Sequence, residues 1–412
     1  MKSISYSNKN YYRLGENVKI TGIVAEYNPF HNGHLYHVEK AREVTDCKYI
    51  VAVMSGNFVQ RGYPAAFDKF KRAEMALKNG VDLVIELPVM LANSSAEYFS
   101  HASVFLLESM GIVDNICFGA ENADIEKLKK IADFFINESV EFKNNLKENL
   151  GKGMSYPLAR KEAFIREFPE MAEVLNMPNN ILAIEYLKAL KKLNSKIEPV
   201  VIKRVVAPYH SIDLDNKIAS ATAVRAGLMK GLENIENNIP GNIYEIIKSD
   251  YENFRQKNID NLSFLLHYIL RTKDIKDVFD INDDLKNRIL KISDKHFKIT
   301  DILKEVKCKN YTMTRLNRAI ISIILDIKKE HVTMPQYIRV LGFKKSSSEI
   351  FKELEKNAKL PLVINLAKDI EKLENRAKLA LEKEIKSTDI YNLLTRNFEE
   401  KNYEYRKPIV IV

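Results

Sequence analysis

His31-Asn32-Gly33-His34 places two imidazoles around a glycine, and the flanking residues decide what such a pair can do. Upstream, KITGIVAEY (19–27) is a β-rich apolar run that stops at Asn28-Pro29, because proline fixes φ and lacks an N–H. Downstream, HLYHVEKAREVT (34–45) repeats Leu35, Val38 and Ala41 or Arg42 at helical spacing. The pair therefore sits in a strand-to-helix turn, where the N–H groups of a starting helix can receive phosphate oxygens. Gly33 lets a nucleotide approach the backbone closely, and both imidazoles can donate to charge that develops on a phosphoryl group. The chemistry this supports is phosphoryl or nucleotidyl transfer. A zinc site of His31, His34 and His37 is the rival reading. Residues i and i+6 diverge around a helix, however, and no HExxH acid follows. Capping and surface histidines are the bland alternative, which fits less well where two of them bracket a glycine. Neither GxGxxG after the first strand nor GxxxxGK[ST] occurs, which argues against dinucleotide-binding and P-loop chemistry.

The elements that must hold this turn alternate along the N-terminal half. YIVAVMSG, VDLVIELP, NICFGAEN and PVVIKRVV read as strands, separated by the helical patterns FDKFKRAEMALKNG, AEYFSHASVFLLESMG, ADIEKLKKIADFFINES and PNNILAIEYLKALKKL. Continuous apolar strands alternating with helices predict a parallel sheet buried on both faces, with ligands beyond the carboxyl ends of the strands. Residues 27–34, 55–62 and 119–122 should share that rim. Residues 143–178 read as a helical insertion. IASATAVRAGLMKG reads as a helix capped by Ser220 or Thr222, with Arg225 in its first turn. From about Pro240 the strand signal fades and helical stripes such as Leu262, Leu265, Leu266 and Ile269 take over. PLVINLAKDIEKLENRAKLALEKEI reads as a helix or helix pair. The fold expected is α/β with a parallel sheet, followed by an α-helical domain: an appendage at 1–18, a nucleotide-binding domain at 19–239 and a basic helical domain at 240–412.

Charge divides along the same line. The formal net charge is +9 over 412 residues, yet residues 1–250 hold 31 basic and 31 acidic side chains. Residues 285–345 hold 15 basic against 5 acidic ones. A neutral module joined to a polyanion-facing one is the expectation. Cys47, Cys117 and Cys308 are too few and too scattered for a disulfide framework, which leads us to expect no disulfide partner and a reducing compartment, the cytoplasm. No apolar run reaches the roughly 20 residues of a membrane span, so no membrane partner is expected.

A strand ending in EYNPFHNGH, with SATAVR later at Ser220, Thr222 and Arg225, resembles the HxGH nucleotidyltransferases, whose Rossmann-like domain binds ATP and releases pyrophosphate. GIVAEYNPFHNGHLYH, VAVMSGNFVQRGYPA, GVDLVIELP, FGAEN, PNNILAIEYL and IASATAVR narrow the likeness to the tRNA(Met) cytidine acetate ligases, and YTMTRLNRAIISIIL and YIRVLGF extend it over nearly the whole chain. The resemblance implies activation of acetate by ATP to acetyl-adenylate, then acetylation of N4 of the wobble cytidine in elongator tRNA(Met). It places ATP-binding positions on Val24, Ala25, Glu26, Tyr27, Asn28, Pro29, Phe30, His31, Asn32, Gly33, His34, Leu35, Tyr36 and His37, with further contacts at Gly119, Asn179 and Arg204. On this reading His31 and His34 stabilise the α-phosphate and Arg225 assists the leaving pyrophosphate. Lys203, Arg61 and Lys71 are further candidates for that work. Mg²⁺ is expected with ATP, held by phosphate oxygens and water, so no protein metal ligand is expected. The chain departs from the family in about sixteen extra residues before the first strand.

In the basic half, Arg315 and Arg318 lie three apart on a predicted helix, preceded by Lys304, Lys307 and Lys309 and followed by Lys344 and Lys345. Such clusters engage phosphates and position an RNA rather than read its bases. Tyr311 and Tyr337 are expected to be available for stacking on unpaired bases. Two alternatives stay open: an adenylyltransferase acting on a small metabolite, and a non-catalytic tRNA-binding protein with a degenerate nucleotide fold.

Overall fold

All five predicted N-terminal strands form, as β1 (Ile20–Ala25), β2 (Tyr49–Ser55), β5 (Leu83–Leu87), β6 (Asn115–Ala120) and β7 (Glu198–Lys203), with a small hairpin of β3 (Phe58–Val59) and β4 (Tyr63–Pro64) between β2 and β5. The computed structural model describes residues 18–204, 214, 217–395 and 401–412. The appendage expected at 1–18 lies, but for Val18, outside the described residues. The five strands pair in the spatial order β5-β2-β1-β6-β7, and every one of these pairings is parallel.

Alternation along the strands sends side chains to two separate cores. In β2, Tyr49, Val51 and Val53 join the helices on one face, while Ile50, Ala52 and Met54 join those on the other. At Gly22 of β1 a Cβ would lie 2.6 Å from Leu107, so the helix Ala96–Met110 packs directly on the strand only because this position lacks a side chain. Strand order reverses at β1, whose successors in sequence lie to one side and β6 and β7 to the other. The crevice between the carboxyl ends of β1 and β6 is therefore the place where such a sheet takes a ligand.

Strands do not end near Pro240: β8 (Ile338–Phe343) pairs antiparallel with β5, and β9 (Leu362–Val363) and β10 (Val410–Ile411) pair parallel with β8. β8 is buried from Ile338 to Gly342, its Ile338, Val340 and Leu341 supplying the apolar run, but it stands alone among helices, so no repeating strand–helix pattern announces it. PLVINLAKDIEKLENRAKLALEKEI likewise is no single helix. It divides into β9, a turn of helix at Leu366–Asp369 and the helix Asn375–Asn392.

The remainder of the C-terminal half is helical. Its core gathers Leu262, Leu266, Ile302, Leu316 and Ile320 and takes in Phe58, Val89 and Met90 from the sheet region, so the two halves share one packed boundary. Ile243, Ile247 and Phe254 pack in the second core of the sheet itself. Among the described residues no helix is long and apolar enough to cross a membrane. Cys47, Cys117 and Cys308 are free thiols.

Candidate nucleotide-binding site

His31 is the N-cap of helix α1 (Asn32–Thr45), and the cap determines what the two imidazoles offer. Its Nδ1 accepts the Gly33 N–H at 3.0 Å, while Nδ1 of His34 accepts the His31 N–H at 3.3 Å. This reciprocal arrangement is a capping box built from histidines rather than Ser and Glu. Because each Nδ1 accepts, each ring's proton must sit on Nε2. The rings stack at 3.7 Å between centroids, and no described residue hydrogen-bonds either Nε2. The expectation that backbone N–H groups would be open to phosphates is thereby altered: the donors of His31 and Gly33 are used in the cap, and the two imidazole Nε2 groups are left as the open donors of the turn.

Gly33 is required by this geometry, since a Cβ there would lie 2.9 Å from Cε1 of His31. Asn32 ties the turn to the segments on both sides of the Arg225 helix, its Nδ2 donating at 2.9 Å to the carbonyls of Lys217 before it and Asn237 after it. Phe30 and Tyr27 are buried beneath the turn, and Tyr27 has φ 47°. Val24 and Ala25 lie inside β1, half-buried like Leu35 and Tyr36 of α1. Asn28 accepts the Ala66 N–H at 2.7 Å, which leaves Pro29 and the buried Asn28 as scaffold of the turn.

Two arginines line the rest of the crevice, and a third ties the neighbouring strand ends. Arg225 donates to the Asn28 carbonyl at 2.7 Å and to Thr222 at 3.2 Å, in a helix (Ala221–Lys230) capped by Ser220, whose Oγ accepts the Ala223 N–H. Arg204, just past β7, donates to Oδ1 of Asn179 at 3.2 Å. Asn179 lies in the first turn of the helix Pro178–Lys192 and donates to Glu121, just past the end of β6. At Gly119 an added Cβ would meet Cγ of Arg204 at 3.0 Å, so the glycine lets the arginine cross the strand end. His31, His34, Gly119, Asn179, Arg204 and Arg225 thus converge on the β1/β6 crevice. The third arginine, Arg72, was not foreseen from the sequence. It is fully buried in helix α2 (Lys69–Lys78) and donates to the carbonyls of Phe67, Glu26 and Gly56, tying the ends of β1 and β2 into one rim.

The electrostatics keep the imidazoles neutral. Burial, then the Arg204 and Arg225 charges, push His31 down to about 3; burial and Arg204 push His37 down to about 4. His34 is lowered well below its ordinary value by burial first and by its histidine and arginine neighbours second. A folded-state pKa below the unfolded value of about 6.5 means that the unfolded chain binds the proton first, so stability falls as pH drops through 6.5. For His31 the loss is about 1.4 kcal/mol per pH unit in that window. Urea unfolding at pH 7 and pH 5 should show this drop in the wild type and a smaller one in His31→Asn, because asparagine also caps a helix but does not titrate. An equal drop in both proteins would remove the imidazole as its source.

Other sequence candidates fall elsewhere. Lys71 is bound at 2.6 Å to Asp250 on the far side of α2, where it has a carboxylate rather than a phosphate for company. Lys203 is exposed at the end of β7. Arg61 lies on the hairpin loop next to Gly62, and its charge is felt at Arg225. Gly62, with φ +75°, fits against the backbone of Asn317 and Arg318, where a Cβ would meet Arg318 N at 2.3 Å. The same loop reaches the first strand, since Gln60 N–H donates to Glu26 at 2.9 Å and its side chain to the Ser94 carbonyl at 3.3 Å. The basic helix Met313–Ile324 therefore abuts the candidate rim through the three residues of the hairpin loop, Gln60, Arg61 and Gly62.

The basic cluster itself is divided. Arg315 and Arg318 share Asp280, at 3.0 and 3.4 Å, and Arg318 is buried, so two guanidiniums keep one uncompensated positive charge between them. Lys307 donates to the carbonyls of Cys308 and Tyr311, Lys304 pairs with Asp301, and Lys309 is exposed. Lys344 and Lys345 follow β8, whose antiparallel register puts Phe343 beside Leu83, at the start of β5. They lie about 15 Å from the rim, one strand length away. The two tyrosines expected to stack on bases are buried. Tyr311 donates to Asn282 and Asp284 under the Arg315 guanidinium, and Tyr337 is 1 % exposed. Among the described residues no group of three or more His, Cys, Asp or Glu side chains converges to hold a metal.

Comparison with known proteins gives the family and the fold. A profile of the HIGH Nucleotidyl Transferase family matches residues 18–406. The tRNA(Met) cytidine acetate ligase of Caldanaerobacter subterraneus subsp. tengcongensis is 42% identical over 94% of this chain and 98% of its own length. That of Clostridium perfringens (strain SM101) is 38% identical over 95% and 100%. Among solved structures, Thermotoga maritima TmcAL bound with alpha-thio ATP superposes with a TM-score of 0.88 at 34% identity, covering 96% of this chain and 100% of its own. The apo form of the same protein gives 0.89.

Proposed function

The chain belongs to the tRNA(Met) cytidine acetate ligases of the HIGH nucleotidyl transferase family, and from that premise we propose that it activates acetate with ATP and acetylates N4 of the wobble cytidine of elongator tRNA(Met). The observation that carries this is the histidine capping box, with both Nε2 protons free in a crevice flanked by Arg204 and Arg225. In the first step an acetate oxygen attacks the α-phosphorus and the bond to the bridging oxygen breaks, so pyrophosphate leaves with the electron pair. His31 and His34 donate to the non-bridging α-oxygens as their charge rises. Arg225, with Arg61 near it, balances the departing pyrophosphate, and Arg204 with Asn179 borders the nucleotide from the β6 side. In the second step the cytidine N4 amine attacks the acetyl carbonyl, the bond from the carbonyl carbon to the AMP phosphate oxygen breaks so that AMP leaves with the electron pair, and the amine proton passes to solvent. Mg²⁺ bound with ATP would be held by phosphate oxygens and water rather than by protein side chains, and would supply further charge neutralisation there. Glu26, at the end of β1, is the acidic side chain of the segment and binds the hairpin loop rather than phosphate. Acetate, a cytoplasmic setting and the tRNA substrate form one consistent reading.

Incubation with ATP, Mg²⁺, labelled acetate and elongator tRNA(Met) is expected to give N4-acetylcytidine at the wobble position. Absence of label in the RNA would refute it, and exchange of pyrophosphate with a different carboxylate would point to a small-molecule adenylyltransferase.

The tRNA contact is proposed for the surface around Arg315, with Lys304 and Lys309 along the same edge. Because Arg315 and Arg318 share one carboxylate, removing Arg315 cancels the excess charge. Arg315→Ala should weaken tRNA binding about tenfold and lower the slope of log K against log salt by about one, with acetate-dependent ATP–pyrophosphate exchange retained. Parallel loss of both activities would place Arg315 in the nucleotide site instead.

A further inference from the structure

The helix Ser263–Thr272 buries Leu266 and Ile269 in the helical core but turns Phe264 and Tyr268 outward, 79% and 62% exposed. Spaced by four, they lie on one face. Phe297, half exposed, meets Phe264 edge-to-face at 4.7 Å between centroids. These rings are held in place from below. His267 is buried; its ring stacks on Phe297 at 5.3 Å with 6° between planes, and Nε2 contacts the Phe297 carbonyl at 3.0 Å. Its Nδ1 lies 2.8 Å from the Arg271 guanidinium. Three aromatic rings are thus fixed at the surface where water would otherwise favour their burial. Exposed cations adjoin them along the chain: Arg271 in the last turn of the same helix, Lys295 and Lys298 on either side of Phe297, and Lys291 in the last turn of the helix before it. Among the described residues none of the four is ion-paired with a carboxylate.

Resting on the tRNA reading above, we infer that Phe264, Tyr268 and Phe297 form a stacking platform for unpaired bases of the bound tRNA, with these four cations holding the adjoining phosphates. Aromatic faces interleaved with unpaired basic side chains match single-stranded RNA, because every base has a π face and every linkage a negative charge. A second copy of the chain fits the surface poorly, since a two-fold contact would bring the same cations against one another. The platform also supplies what Tyr311 and Tyr337, both buried, do not.

The chain contains no tryptophan, so Tyr268→Trp creates a single reporter at the platform. Its fluorescence should be quenched by elongator tRNA(Met) and by poly(U), and left unchanged by ATP with acetate. The double variant Phe264→Ala/Tyr268→Ala should bind tRNA at least tenfold more weakly and keep acetate-dependent ATP–pyrophosphate exchange. Both positions are exposed, and a thermal melt checks that the fold is retained. Wild-type affinity in the double variant, or no quenching of the tryptophan while the wild type acetylates tRNA, would overturn the platform and leave the ligase reading intact. Quenching by tRNA from a protein that yields no acetylcytidine would sustain the platform and overturn the ligase reading. If light scattering shows the wild type as a dimer and the double variant as a monomer with unchanged tRNA affinity, the face belongs to a second copy and the platform is wrong.

Discussion

His34→Ala should lower acetate-dependent ATP–pyrophosphate exchange by about 10²- to 10³-fold, the loss typical of a preorganised donor to a developing oxyanion. Two roles end together. The Nε2 proton is lost as a donor, and the His31 N–H loses the acceptor that closes the capping box. The second loss costs stability of about 1 kcal/mol, as for other helix caps. Domains of this kind have roughly 5–15 kcal/mol to lose, so the variant remains folded and the defect is chemical. Binding of tRNA should be unchanged, because the basic helix touches the rim through the hairpin loop and not through α1. Exchange within threefold of wild type would remove His34 from the reaction. A parallel loss of tRNA affinity would mean that the nucleotide site and the RNA surface are one.

The second large effect concerns stability and lies beside the carboxyl ends of β2 and β5, where a Cβ at Gly56 would meet Glu384 at 2.7 Å and Glu86 at 2.8 Å. Lys69, fully buried at the start of α2, sits 2.6 Å from Glu86 of β5 and 2.6 Å from Glu404, and 3.6 Å from Glu384 of the helix Asn375–Asn392. Arg339 of β8 pairs with Glu86 at 3.4 Å and with Glu404. Two cations face three carboxyls in a site without water access, and neutrality requires one carboxyl to keep its proton. Glu384 is that group: burial first and the Glu86 carboxylate second hold it well above the usual carboxylate range, and its Oε2 accepts the Val89 N–H at 2.6 Å. Lys69→Met removes a cation and leaves Glu86 and Glu404 with Arg339 alone, so unfolding in urea should show a loss of about 3–5 kcal/mol. Glu384→Gln, which mimics the neutral acid, should cost less than about 1 kcal/mol. Reversal of that order would show that Glu384 is ionised and that the charge balance is misassigned. The cluster joins α2, β5, β8, the helix Asn375–Asn392 and Tyr403–Arg406, so its loss loosens the antiparallel pairing of β8 with β5 and the C-terminal segment that packs there.

The division between the two kinds of information follows range. Residues within a few positions of one another determined the five parallel strands, the helices between them, the place of the HNGH turn and its role at the strand ends. Apolar continuity, proline, capping residues and helical spacing all act over one turn or one strand. The convergence of His31, His34, Gly119, Asn179, Arg204 and Arg225 was legible because each lies at a strand end or a helix start, and a parallel sheet gathers such ends on one side. Conversion of the backbone donors into imidazole Nε2 donors was not legible, since it depends on rotamers within the cap.

Only the tertiary structure decided the fate of the basic half. Tyr311 and Tyr337 carry no local sign that their rings are buried, Arg318 is claimed by Asp280 38 residues away, and Lys344 and Lys345 end a strand whose direction puts them opposite the rim. A charge count over residues 285–345 sums side chains that face different ways, and exposure depends on partners remote in sequence. The unforeseen Arg72 and the Lys69 cluster have the same cause. A buried charge is stable only beside its counter-groups, and for Lys69 those stand up to 335 residues along the chain, at Glu404, where no local pattern can announce them.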